Sequence, residues 1–304
     1  MLRAIILGAG AGGGFPQWNS AGPGCRRARA GDPAAPRRTQ ASLAVSADGA
    51  RWLVVNAAPD LRQQIEATPA LLPRPEPLRN SPIAALLLTG GEVDAIAGLL
   101  HLRERQPFRL YAAAPTRAVL DANPIFGCLN PDFVMRDDLP LDTPFAPRDA
   151  AGASLGLTVT AYAVPGKVPL YAETSGQPEV TEDGEALGLA ISAGGPALHY
   201  IPGCALMNPA LRDRLRGAAC VVFDGTLFAD EEMILAGAGP KTGRRMGHMP
   251  VLDTIQEFAT LGVRRRILTH LNNTNPAMLA DSPERAMLRA AGWEVAEDGM
   301  EIAP

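Results

Sequence analysis

Cysteine is scarce in this chain: Cys25, Cys128, Cys204 and Cys220 are widely spaced and form no C-x-x-C pair. That excludes a disulfide framework, and the expected state of Cys128, Cys204 and Cys220 is a small buried thiol in a reducing compartment. Excess positive charge is missing too. The 28 Lys+Arg against 32 Asp+Glu leave a net charge of -4, which argues against a nucleic-acid partner. No apolar run approaches the roughly 18 residues of a membrane span, so no membrane partner is expected. The opening stretch Met1–Gly8 is too short for a signal peptide and breaks at once into glycines, so the expected location is the cytoplasm. Low-complexity tracts are lacking, and the proline-rich Leu72–Pro77 reads as a surface loop. Histidine is limited to His101, His199, His248 and His270. What the chain does have is 47% hydrophobic residues, ample for a core, with 31 Gly and 28 Pro to turn between short elements.

The apolar patterning predicts strands at Leu2–Leu7, Thr39–Ser46 and Arg51–Asn56, the last two joined at Asp48-Gly49, a hairpin signature. A helix is predicted through Leu61–Ala67, a strand over Pro82–Leu88 and a helix over Val93–Arg105. The second half repeats the texture. Leu155–Val164 reads as a strand, Ala186–Ser192 and Ala197–Ile201 flank Gly194-Gly195, and Pro209–Leu215 is helical. Strands at Cys220–Phe223 and Arg266–Thr269 alternate with helices at Val251–Leu261 and Pro283–Ala291, and Trp293–Ala296 and Met300–Ile302 close the chain around Asp298-Gly299. Hairpins mixed with strand–helix units predict an α/β fold with two mixed β-sheets face to face and helices on both outer faces.

Gly8-x-Gly10-x-x-Gly13 follows a strand and matches the dinucleotide-binding string. That string works only where a helix begins, because the helix amides must face a pyrophosphate. Phe15-Pro16 and Gly22-Pro23-Gly24 oppose a helix here, so the run is expected to be a loop packed closely against other backbone. Functional side chains collect elsewhere, in loops at strand ends. His270 follows Thr269 into Asn272-Asn273-Thr274-Asn275, His248 precedes a helix, Asp224 ends a strand, and Asp94 lies just past one. Two imidazoles with carboxylates suit a divalent metal, and two His with one carboxylate leave the open positions used in Fe(II) oxygen chemistry. Spacing alone favours the plainer reading, in which each aspartate caps a helix or turn and each histidine is a satisfied hydrogen-bonding group. His101 and His199 fit packing positions better than ligand positions.

Several long segments resemble the pyrroloquinoline quinone biosynthesis protein B family of the metallo-β-lactamase superfamily. They include Gly12–Asn19, Asn56–Gln64, Gly98–Glu104, Val164–Pro169, Phe223–Thr226, Lys241–His248, His270–Pro276, Asp281–Ala286 and Asp298–Met300. The resemblance runs nearly end to end. It implies one metallo-β-lactamase-like domain over residues 1–304, an αβ/βα four-layer sandwich. It further implies a part in making the redox cofactor pyrroloquinoline quinone, through iron-dependent hydroxylation of the tyrosine ring of a Glu-Tyr precursor fragment, alongside other proteins of that synthesis. The alternative it carries is transport: a metal-free carrier of the cofactor or its precursor.

By that resemblance the metal residues are Asp94, Asp224, His248 and His270, with Asp94 and His270 catalytic and Fe(II) the implied ion. Arg62, Lys167 and Lys241 would hold substrate carboxylates. The superfamily's H-x-H-x-D-H motif aligns with Gly90-Gly91-Glu92-Val93-Asp94-Ala95, so only the aspartate survives. The family usually keeps an Asp-His pair, and Ala95 supplies no donor. Near Lys167 a middle histidine of the superfamily is also replaced. Ser20 and Gly22 stand where cysteines are usual, which leaves Cys25 without the roughly four donors of a structural zinc.

Overall fold

A computed structural model describes residues 1–173 and 180–304. The first sheet is built from β1 (Arg3–Gly8), β2 (Ser42–Ser46), β3 (Trp52–Val55), β4 (Ile83–Leu87), β5 (Phe108–Ala112) and β6 (Val134–Asp138). The second holds β7 (Thr158–Ala163), β8 (Leu187–Ser192), β9 (Leu198–Ile201), β10 (Cys220–Asp224), β11 (Arg265–Thr269) and β12 (Trp293–Val295). A last strand, β13 (Glu301–Ile302), returns to the first sheet beside β1. The orders are β13-β1-β2-β3-β4-β5-β6 and β12-β11-β10-β9-β8-β7.

Both sheets are mixed in the same way. β1, β2 and β3 pair antiparallel, as do β7, β8 and β9; from β3 to β6 and from β9 to β12 the pairing is parallel. Parallel strands are covered on both faces, which is why β4 and β10 read as unbroken buried runs. Leu43, Val45, Leu53 and Val55 of one sheet meet Val159, Leu189, Tyr200 and Val222 of the other in the central core. Helices cover both outer faces, with Leu61, Leu99 and Leu120 packed on the first sheet and Leu211, Phe258 and Leu288 on the second. The architecture is the αβ/βα sandwich. Among the described residues no helix is long and apolar enough to cross a membrane.

Local chemistry explains the turns. In the β2–β3 hairpin Gly49 takes φ +71°, Ser46 Oγ accepts from its N–H at 2.9 Å, and Asp48 Oδ1 accepts from Ala50 N at 2.8 Å. The spacing over Val93–Arg105 does not give one helix. A helix at Val93–Ile96 tightens into a 3-10 segment at Ala97–Leu102. There Gly98 donates to Ala57 O at 2.8 Å, so close that a Cβ would stand 2.0 Å from Ala58 O. Pro23-Gly24 does open a helix, Pro23–Arg29, because proline at the first position forfeits only an N–H that has no partner there. Trp293–Val295 and Glu301–Ile302, either side of Asp298-Gly299, belong to different sheets.

The glycine run stitches the two sheets together. Gly10 N donates to Thr39 O and Ala11 N to Leu271 O, both at 2.8 Å, while Leu271 N donates back to Ala9 O at 3.0 Å. Gly13 and Gly14 take positive φ, and Gly13 N donates to Gln40 Oε1 at 2.9 Å. No helix N-terminus follows directly, and the loop runs into the residue beside His270.

Candidate metal centre

The chemical side chains emerge where parallel strands end and the backbone turns into the gap between sheets. β10 ends on Asp224 and continues into Gly225-Thr226; β11 ends on Thr269, with His270 next. Beyond β4 the loop through Gly90-Gly91 carries Asp94 into the first turn of Val93–Ile96. His248 follows the short helix Gly243–Met246, which Gly247 ends in the left-handed conformation at φ 85°. His270 itself has φ +58°, a conformation that costs a non-glycine residue about 1 kcal/mol or more. The paired bonds between Leu271 and the glycine loop hold it there.

Asp94, Asp224, His248 and His270 come together. His270 Nε2 lies 2.9 Å from Asp94 Oδ2, and His248 Nδ1 lies 2.7 Å from Asp224 Oδ2. The two imidazoles stack at 5.3 Å between centroids and 26° between planes. Asp224 is fully buried: its Oδ1 accepts from Thr226 N at 3.0 Å and from Thr226 Oγ1 at 2.6 Å, and its Oδ2 accepts from Cys204 N at 3.0 Å. The Thr226 hydroxyl also lies 3.1 Å from His248 Nδ1 and 2.8 Å from His270 Nδ1. Burial pushes the Asp94 carboxyl up, but the hydrogen bond and charge of His270 outweigh it and hold Asp94 below its ordinary value. Burial likewise pushes His270 down, and Asp94 outweighs that and raises it.

One donor atom from each of Asp224, His248 and His270 lies within 4.8 Å of the others. Donors on opposite sides of one ion stand about 4.2 Å apart at bond lengths of about 2.1 Å, so this spacing and this N/O donor set suit a small divalent metal. Among the described residues no second group of three or more such donors comes together. Cys25 is buried with its thiol 3.7 Å from Asn273 Oδ1.

The centre lies in the wall of a cavity of about 770 Å³, lined also by Gly12, Gly13, Glu92, Tyr171 and Ala95. Of the three cationic residues expected to hold substrate, Lys167 and Lys241 line it. Lys167 Nζ is 2.8 Å from Glu173, which Arg245 also meets at 3.2 Å; these two cations hold the Glu173 carboxyl well below its usual range. Arg62 does not reach the cavity. On the helix Leu61–Ala67 it is Leu61 and Gln64, three apart, that turn inward, and Arg62 is exposed on another face. His101 is exposed, and His199 is buried against the Tyr162 hydroxyl at 3.0 Å, outside the cavity wall.

Two residues of the site escaped the sequence reading. Thr226 is signalled only by its place two residues past a strand-end aspartate, a common spot for a hydroxyl that closes a turn. Glu92 stands in the motif region, and burial together with the Asp94 charge pushes its carboxyl above the ordinary value.

Comparison with known proteins bears on these features. A family model described as "Beta-lactamase superfamily domain" matches residues 51–271. The chain is 60% identical over 306 residues to the coenzyme PQQ synthesis protein B of Gluconacetobacter diazotrophicus, covering 99% of each. It is 52% identical to the protein of that name from Xanthomonas oryzae pv. oryzae, covering 99% of this chain and 100% of the other. Among solved structures it is similar to Zn(2+)-bound PqqB from Methylobacterium extorquens, with 47% identity, a TM-score of 0.95 and coverage of 99% and 100%. A diphosphatase of the PhnP family shares the fold at 19% identity and a TM-score of 0.69.

Proposed function

The chain belongs to the beta-lactamase superfamily and, within it, to the coenzyme PQQ synthesis protein B family of pyrroloquinoline quinone (PQQ) biosynthesis; from that membership we propose that it is an Fe(II)- and O2-dependent hydroxylase of the tyrosine ring of a Glu-Tyr precursor fragment. The observation that carries the reading is the convergence of Asp94, Asp224, His248 and His270 in the wall of one cavity. An Fe(II) ion held by this centre would supply O2 activation, with open positions for oxygen and substrate. The loss of the first two motif histidines at Gly90 and Glu92 argues against a two-zinc hydrolase. The related PqqB structure is Zn(2+)-bound, and imidazole and carboxylate donors accept zinc as well as iron, so zinc is kept out of any loading experiment.

The chain's own residues supply the rest. Lys241 and Lys167 place positive charge on the cavity wall, where they hold the carboxylates of a small peptide fragment. A cavity of about 770 Å³ admits such a fragment. Gly12 and Gly13 let backbone approach it closely, since no side chain intrudes. The fragment comes from, and returns to, other proteins of PQQ synthesis in the cytoplasm.

The test is anaerobic loading with Fe(II), then exposure to O2, ascorbate and a synthetic Glu-Tyr peptide, read by mass spectrometry. The expected product carries one added oxygen on the tyrosine. Unmodified peptide in the presence of protein that has demonstrably taken up Fe(II) overturns the proposal. Ala95 favours a second reading, a metal-free carrier of PQQ or its precursor with a transport role, because it offers no donor where the family keeps a histidine. Tight binding of PQQ in the presence of a chelator, with no peptide oxidation, supports that reading instead.

A further inference from the structure

We propose that Trp18, Arg26 and Arg29 form a docking surface beside the cavity mouth for an acidic segment of a partner protein, one that brings the substrate or takes the product. The surface uses none of the metal-centre residues, so its failure and the failure of the hydroxylase reading are separate outcomes.

Charge is the first observation. Residues 15–38 hold five arginines and one acid, Asp32, in a chain whose net charge is -4. Two of the five are matched by carboxylates. Arg27 meets Asp32 at 2.6 Å and Asp281 at 2.7 Å, and buried Arg38 meets Glu297 at 3.1 Å. Arg26, Arg29 and Arg37 are exposed and, among the described residues, pair with no carboxylate. The guanidinium groups of Arg26 and Arg29 lie on the carbonyls of one loop: Arg26 on Ala21 O, and Arg29 on Ser20 O and Gln17 O, both at 2.5 Å. Carbonyls accept these bonds without cancelling the charge. Each guanidinium has five N–H donors and keeps some to spare. The plain reading, that these arginines only tie down the loop, leaves their charge unmatched.

Trp18 is the second observation. It stands on the same loop and is 85% exposed, whereas Trp52 and Trp293 are buried. An aromatic ring of this kind buries about 150–250 Å² when covered. Tryptophan and arginine are also the residues that most often dominate binding at protein interfaces. The loop beneath the ring is pinned. Phe15 and Arg38 exchange N–H···O bonds at 2.8 Å, Ser20 N donates to Gln17 O at 3.1 Å, and Asn273 Nδ2 donates to Gln17 Oε1 at 2.6 Å. Binding there orders little beyond side chains, which lowers its entropy cost.

Place and charge together select the occupant. Gln17 lines the cavity that holds the metal centre, along with Gly12 and Gly13, and Trp18 is the next residue. A protein seated on Trp18 therefore has its edge at the cavity mouth, where a small fragment can pass between the two. Guanidinium groups pair with carboxylates through two parallel bonds, and the indole face takes an apolar side chain between the acids. The segment that fits is acidic with an apolar residue among its carboxylates. A nucleic-acid strand asks for a longer basic track and a succession of stacking rings.

The test uses the full-length protein and a synthetic, tryptophan-free peptide of Glu and Leu carrying a fluorescein label. At low salt the expected result is a saturable rise in peptide anisotropy, with a blue shift of the protein's tryptophan emission as Trp18 is covered. Both should vanish near 1 M salt, where the screening length falls to about 3 Å. Arg26→Gln and Trp18→Ala are each expected to weaken binding about tenfold with unchanged thermal unfolding. Trp18→Phe keeps a ring and most of the affinity. Arg62→Gln, the same charge change on another face, leaves binding as in the wild type. If Trp18→Ala unfolds early, Arg26→Gln and the salt series still decide. No saturable binding, equal binding of a Lys and Leu peptide, or wild-type affinity in both Arg26→Gln and Trp18→Ala overturns the proposal. Tighter binding of poly(U) than of the acidic peptide overturns it too, in favour of nucleic acid.

Discussion

The two halves of the molecule share a frame and differ in chemistry. β1–β6 and β7–β12 have the same order and the same switch from antiparallel to parallel pairing. Past β10 and β11 the second half places Asp224, Thr226 and His270, and the long β10–β11 connection that holds Thr226 also adds His248. Past the equivalent β4 and β5 the first half contributes Asp94 alone among these groups, and β5 runs straight into the helix Ala114–Ala122. The frame supplies rigid strand ends in both halves, and the loop sequences alone decide which ends carry chemistry. The helices differ likewise. Asn208, Thr242, Asn275 and Ser282 in the second half accept a hydrogen bond from the helix they precede, whereas no helix of the first half has a side-chain cap.

The largest test of this asymmetry compares the two aspartates. Asp224→Ala would strand four buried donors and is expected to cost about 3–5 kcal/mol in chemical denaturation. Asp94→Ala, at a partly exposed carboxylate with one such partner, is expected to cost about 1–2 kcal/mol. Equal losses would break the contrast.

A second test uses pH. β9 carries His199, buried, where the equivalent β3 is wholly apolar. Burial, with the charge of Arg214, lowers the His199 pKa from 6.5 to about 4. The folded protein therefore keeps this ring neutral while the unfolded chain takes up a proton below pH 6.5. Stability is full above that pH and falls toward pH 4, by about 3 kcal/mol in the limit. His199→Gln should flatten that part of the stability profile. An unchanged slope would remove His199 from the account.

Two smaller changes sharpen the comparison. Ala95→His returns an imidazole to the first half, beside Asp94, and is expected to tighten Fe(II) binding about tenfold, or about 1.4 kcal/mol, by anaerobic titration. An unchanged affinity would mean that position 95 does not face the ion. Ser282→Ala and Asn208→Ala should each cost about 1 kcal/mol in thermal or denaturant unfolding, and Ala113→Ser should recover part of that amount for the uncapped helix Ala114–Ala122.

Much of this was legible beforehand, and the exceptions have physical causes. β4, β10 and the hairpins stand out because buried parallel strands are continuous apolar runs and Asp-Gly turns need a glycine at positive φ. β6, Val-Met-Arg-Asp-Asp, is an edge strand with charged residues and has no such pattern. The helix break after Ile96 depends on a backbone contact between Gly98 and Ala57 that local spacing does not encode. Asp94 and His270 were recognisable from their places past apolar strands, but their contact joins residues 176 apart in sequence. Arg62 was misplaced because charge says nothing of which helix face a residue occupies. Thr226 was missed because a hydroxyl becomes informative only when the groups around it are known.

The central claim is that Asp94, Asp224, His248 and His270 make one metal centre, and metal content tests it most directly. Protein loaded anaerobically with Fe(II) and freed of excess ion should retain close to one equivalent, and His270→Ala, equally folded, should retain almost none. No iron above background in the wild-type protein, or equal iron in both, would contradict the account.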